Sequence, residues 1–189
     1  SRLQDNKPAL RIGIERALFS VSFLTFPVLV GLALLSGDLV ELLPRYLKWQ
    51  PALVTLSLFC LQASFSSVST TLTNVLNAIG KIKTTLKLMV LWTSLTWILT
   101  PLAIVKFGFN GVALAAVLVS TTIALPIILV KKVVEFSLWE NVGKPLSGAL
   151  VMGAVLYFTR VNFPTSWLTL VGMILSGAII YSGLMFLLN

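Results

Sequence analysis

Histidine is absent from this sequence, and cysteine occurs once, as Cys60. The first absence removes the commonest proton shuttle and metal ligand. The second excludes a disulfide framework and any thiolate-ligated metal centre. Charge is also scarce: charged residues are 11% of the 189, with six acids against fourteen basic residues. A soluble domain carries about 25% charged and about 45–50% apolar residues. This chain is 57% hydrophobic with a mean hydropathy of +0.98, too little polar surface to face water. A soluble globular enzyme is thereby excluded, and the solvent for most of the chain is lipid. The net charge of +8 fits basic cytoplasmic loops beside anionic lipid rather than a nucleic-acid partner. Residues 1–16 are polar and mixed in charge, unlike a signal peptide, and the absence of an initiator Met suggests a piece of a longer protein.

A spanning helix needs about 20 mainly apolar residues, and the gaps between charges provide six. The first, 17–37, follows an amphipathic lead-in in which Leu10, Ile14 and Leu18 repeat at helical spacing. Its dozen Leu, Ile, Val and Phe residues contribute about −5 kcal/mol on the insertion scale, with Pro27 as an expected kink. The second, 51–79, opens at Pro51 and stops at Gly80; the third is 85–105 and the fourth 112–130, with Pro126 near its end. Residues 135–144 read as an interfacial segment, with Phe136 and Trp139 towards lipid and Glu140 and Lys144 towards water. The fifth span, 145–161, is short and interrupted by Gly148 and Gly153; the sixth is 166–188.

Basic residues on alternate sides of these spans divide unequally. Arg2, Lys7, Arg11, Arg16, Lys81, Lys83, Lys87, Lys131, Lys132 and Lys144 share one side, and Arg45, Lys48, Lys106 and Arg160 the other. The positive-inside rule then puts the first side, and the N-terminus, in the cytoplasm.

All six carboxylates, Asp5, Glu15, Asp38, Glu41, Glu135 and Glu140, fall outside these spans. No intramembrane acid marks an ion path or proton relay, and no catalytic set, metal site or cofactor is expected. The conspicuously polar segment is the second span, where Gln62, Ser66, Ser69, Thr73 and Asn77 stack on one helix face. Close packing through small hydroxyl residues explains part of this stripe. A hydrated cavity for a polar substrate explains the whole, since the two amides are costly in hydrocarbon without a partner. Lys81, Lys83 and Lys87 cap the same helix. Positive-inside topology accounts for them, as does attraction of an anionic head group, to which Arg11 and Arg16 would add.

The segments SRLQDNK…IERAL, FPVLVGLALLSGDLVELL, LTNVLNAIGKIKTTLKL and VKFGFNGVALAAVLVS occur in that order. Together they resemble the second half of polysaccharide-biosynthesis flippases in the multidrug/oligosaccharidyl-lipid/polysaccharide exporter superfamily. The resemblance covers roughly the first two thirds of the chain, with hydropathy alone continuing it. It implies an all-α, two-lobed membrane protein whose lobes rock around a central cavity. Residues 1–16 would be a cytoplasmic lead-in and 17–130 a four-helix part of the second lobe. Residues 131–144 would be a linker and 145–189 two accessory helices, with the N-terminal half missing. Gly108 and Gly111 would form the turn between two family helices, where glycine allows positive φ and a close helix start.

The function implied is translocation of a lipid-linked oligosaccharide or polysaccharide precursor across the cytoplasmic membrane by alternating access. It makes and breaks no bond. The alternatives are a multidrug exporter of the same superfamily and a non-transporting scaffold subunit of a glycan-synthesis complex. A membrane glycosyltransferase is disfavoured by the lack of an acidic motif at an interface.

Overall fold

A computed structural model describes residues 7–188; Arg2 and Asp5 lie outside the described residues. Within that range the chain is helical and has no strand, and six helices are long and apolar enough to cross a membrane. It is a multi-pass, all-α membrane protein.

Leu10, Ile14 and Leu18 are buried along one face, and nothing between them and the first span stops a helix. Lead-in and span therefore form one helix, α1 (Lys7–Leu42), with Pro27 inside it. At 1.5 Å per residue α1 is about 54 Å long, so it projects beyond a hydrocarbon core of about 30 Å. Pro44 opens the 3-10 turn Pro44–Trp49 that reverses the chain into α2 (Ala52–Ala78). Gly80, at φ 79°, makes the next turn into α3 (Ile82–Phe107). At the following turn Gly108 has φ 58°. A Cβ on Gly111 would lie 2.3 Å from the Ala103 carbonyl oxygen. Both glycines thus do what the resemblance implied.

The fourth span, Asn110–Lys131, is helical throughout but not uniformly α. It divides into α4 (Asn110–Ser120), a 3-10 turn at Thr121–Ile123, and α5 (Ala124–Lys131). Pro126 supplies the reason: it has no N–H for the Thr122 carbonyl and crowds that turn. The Trp92 indole N–H donates to the Thr122 hydroxyl at 2.8 Å and ties the 3-10 turn to α3.

After α5 a π turn, Trp139–Gly143, runs into α6 (Lys144–Asn162), and α7 (Trp167–Leu188) completes the bundle. The fifth span is therefore not short: the apolar helical segment runs Trp139–Asn162. Its glycines are contact points rather than interruptions. A Cβ on Gly153 would come within 2.7 Å of the Val30 Cγ1, and one on Gly148 within 3.3 Å of the Tyr181 ring. Phe136 also departs from expectation. It is buried in the core, with the Lys131 ammonium 5.9 Å from its ring centroid, whereas Trp139 is exposed as expected.

α1 is the hub. α2 packs antiparallel along one side of it, while α6 and α7 cover another. α3 reaches this body chiefly through α4, which also packs on α2. The core joins Leu10, Ile14 and Leu18 of α1 to Leu72 and Leu76 of α2, and to Val130, Val134 and Phe136.

Candidate functional site

The polar character of α2 has two components. Most of its hydroxyls are satisfied within the helix: Ser57, Ser64, Ser67 and Thr71 donate to carbonyls three or four residues earlier. Such back-bonding lets Ser and Thr sit in an apolar setting without water. Within the stripe, Thr73 is buried and its hydroxyl lies 3.1 Å from the Ser69 carbonyl and 2.9 Å from that of Thr70. Gln62, Ser66 and Ser69 are half-buried, and Asn77 is exposed. The amides of Gln62 and Asn77 cannot satisfy all their hydrogen-bonding groups in the manner of a hydroxyl, so they set the demand for polar neighbours.

Two apolar cavities of about 520 Å³ flank α1. The first lies towards α2, between Phe26, Val30, Cys60, Ser64, Ile127 and Val142. The second is a groove between α1, α6 and α7, with Pro27, Leu35, Met152, Leu156, Met173 and Tyr181 among its walls. Neither includes a stripe residue. At 100° per residue, Cys60, Ser64 and Val68 lie on the side of α2 roughly opposite the stripe. The stripe instead shares its azimuth with Thr55, whose hydroxyl bonds the Asn110 amide on α4. Hence α2 turns apolar residues to the α1 cavity and amides away from it. These apolar walls suit hydrocarbon and offer little to a sugar.

The basic cap is assembled by the antiparallel packing of α1 and α2. Lys81, Lys83 and Lys87 are exposed on the α2–α3 turn and the start of α3. Arg11 and Arg16 are exposed at the start of α1, on the same end of the bundle. Arg11 is partly committed, since its Nε lies 2.9 Å from the Glu15 carboxylate. Lys131, Lys132 and Lys144 lie at this end too, because α5 ends and α6 begins there.

An ion pair with one buried partner joins α1 to α6. Asp38 belongs to α1 rather than to a loop, is 1% exposed, and accepts a hydrogen bond from Arg160 Nε on α6 at 2.6 Å. Contrary to the expectation that all six carboxylates lie outside the spans, Glu15, Asp38 and Glu41 are all on α1 and Glu140 is in the segment Trp139–Asn162. α1 continues past Gly37 because only Leu43 and Pro44 end it. Gly37 also makes room: a Cβ there would lie 2.8 Å from the Arg160 guanidinium. The other Asp38 oxygen, Oδ2, has no partner among the described residues. Glu15 makes a second contact that spacing did not show, accepting the Ser137 backbone N–H at 3.1 Å. A clue existed in that Asp38 and Arg160 each stand near the same end of a long apolar run, on opposite-sign residues.

No family model matches the chain. It is 32% identical over 83 residues to an uncharacterized membrane protein in the cps region of Klebsiella pneumoniae. It is 29% identical over 113 residues to an uncharacterized membrane protein, MJ1068, of Methanocaldococcus jannaschii. These alignments cover 44% and 59% of this chain, but only 17% and 22% of the length of those curated relatives. Among solved structures, the lipid II flippase MurJ in an inward closed conformation superposes with a TM-score of 0.81 at 22% identity. That match takes in 97% of this chain and 40% of the flippase. From α1 to α7, this chain shares the fold of part of the lipid II flippase MurJ.

Proposed function

We propose that this chain forms part of a flippase that moves lipid-linked oligosaccharide or polysaccharide precursors across the cytoplasmic membrane. The observation that carries this reading is the superposition on a lipid II flippase over 97% of the chain. In this reading residues 17–130 contribute one wall of a central cavity and α6 and α7 stand beside it as accessory helices. The α2 stripe, Gln62, Ser66, Ser69, Thr73 and Asn77, lines the polar lumen for the sugar head, while the lipid tail stays in hydrocarbon. Lys81, Lys83, Lys87, Arg11 and Arg16 attract the anionic head group from the cytoplasmic side. Alternating access requires a second unit moving against this one around a shared site. It comes from the rest of a longer chain or from a second copy.

The test is glycan export in a strain lacking its own flippase. Residues 1–189 alone are expected to fail and to recover on co-expression of a matching upstream half. Replacing the stripe by Ala and Leu is expected to abolish export in the complete transporter; normal export would sink the lumen assignment. Orientation is tested separately in a Cys60→Ser background with a membrane-impermeant thiol reagent on intact cells. Labelling is expected at Lys48→Cys and not at Lys83→Cys, and the reverse would overturn the cytoplasmic N-terminus.

A further inference from the structure

α1 meets α6 near one end and the segment leading into α6 near the other, in one constant register. The Glu15–Ser137 and Asp38–Arg160 contacts each join residues 122 positions apart. Between them, and nearer the Asp38 end, Gly153 faces the Val30 side chain with nearly the same offset. A constant offset means that the two helices run parallel and side by side without slipping. On α1 the end contacts are about 35 Å apart at 1.5 Å per residue, a little more than the hydrocarbon thickness of about 30 Å. One anchor therefore sits near each face of the bilayer.

We propose that these two anchors yoke α6, and α7 with it, to α1 at both membrane faces, so that the three helices move as one rigid body. Each anchor resists a different displacement. At one end Asp38 is 1% exposed. Withdrawing Arg160 would strand its carboxylate in low dielectric, which holds that end against splaying. At the other, Glu15 is held by Arg11 and accepts the Ser137 N–H where the chain enters the π turn. Between them, sliding by a residue would drive Val30 out of the space left at Gly153 and into a neighbouring side chain. α7 is joined to the same body by two further glycines, Gly148 against Tyr181 and Gly177 against Leu156. On its other side α1 packs on α2, where Leu10, Ile14 and Leu18 share an apolar core with Leu72 and Leu76.

The experiment measures nitroxide pair distances in the full chain, reconstituted in liposomes on a Cys60→Ser background. One pair, Ile12→Cys with Glu140→Cys, reports the lysine-rich end; the other, Leu39→Cys with Val161→Cys, reports the Asp38 end. All four positions are exposed. With both anchors intact, each pair is expected to give a single narrow distance. Two separated populations at either end would overturn the proposal, and this arm alters neither anchor. Asp38→Asn and Arg160→Met are each expected to broaden the Leu39–Val161 distribution at least twofold while leaving Ile12–Glu140 unchanged. The double variant is expected to be no broader than either single one. Unchanged width at the Asp38 end, broadening at both ends, or additive broadening in the double variant would each overturn it. The last two outcomes would make the pair a general stabiliser rather than a local anchor.

Discussion

The seam between α1 and α6 and the isolated face of α3 are built from similar apolar residues and meet different surroundings. In the best apolar window of the segment Trp139–Asn162, 39% of residues are buried; in that of α3 the share is 6%, although α3 is the more hydropathic of the two. Within a membrane the ranking is sensible. Small and polar residues such as Gly148, Gly153 and Arg160 let helices approach and bond, whereas Leu, Ile and Trp are equally content against lipid. Hydropathy thus reports what a helix tolerates around it, and small or charged positions report where a neighbour is required.

Substitutions at these places break or sharpen that contrast. The largest effect is expected at Gly111, through which α4 approaches α3. A side chain there meets Ala103 backbone, which cannot step aside, so Gly111→Leu should lower stability by about 3 kcal/mol, read from thermal unfolding in detergent. If it unfolds no sooner than wild type, α3 is held by something other than this contact. Next comes Asp38→Leu, which removes the partner of Arg160. Breaking a buried pair costs about 3–5 kcal/mol, but the Arg160 side chain is 37% exposed and water recovers part of this, leaving about 2 kcal/mol. The double variant Asp38→Leu with Arg160→Met should be less damaging than Asp38→Leu alone, because no charge is left stranded. Glu15→Gln keeps an acceptor for the Ser137 N–H but loses the Arg11 ion pair, so a loss of about 0.5–1 kcal/mol is expected. The smallest effect is expected at Trp97, 76% exposed on α3. Trp97→Ala should stay within about 0.5 kcal/mol, and a markedly larger loss would reveal that a partner covers this face.

Much of the architecture could be read along the chain. All six spans were legible because twenty apolar residues in a row admit few other fates, and the turn at Gly108 and Gly111 was legible because glycine there has a specific steric purpose. Boundaries were less so. Residues 17–37 understated α1 because the lead-in has helical spacing but too much charge to register as a span. An aromatic beside charged residues resembles an interfacial anchor, whereas Val130 and Val134 draw Phe136 into the core. The glycines of the fifth span look like breakers until the helices against them are known. Of the candidate site, the composition and spacing of the α2 stripe were plain, but its direction relative to the apolar cavities depends on where α1 and α4 lie.

The sequence by itself therefore determined the solvent, the number of crossings, the uneven distribution of positive charge and the polar face of α2. Each follows from local composition and from a fixed rise and turn per residue, which need no knowledge of neighbours. Tertiary structure alone decided that Asp38 and Arg160 meet, that Glu15 holds the entry to α6, that Gly153 receives Val30, and that α3 stands nearly uncovered. Those outcomes join residues more than a hundred positions apart or depend on what packs beside a helix. In a membrane many apolar faces are interchangeable against lipid, so pairing is selected by close-fitting glycines and by the few charges that cannot remain alone.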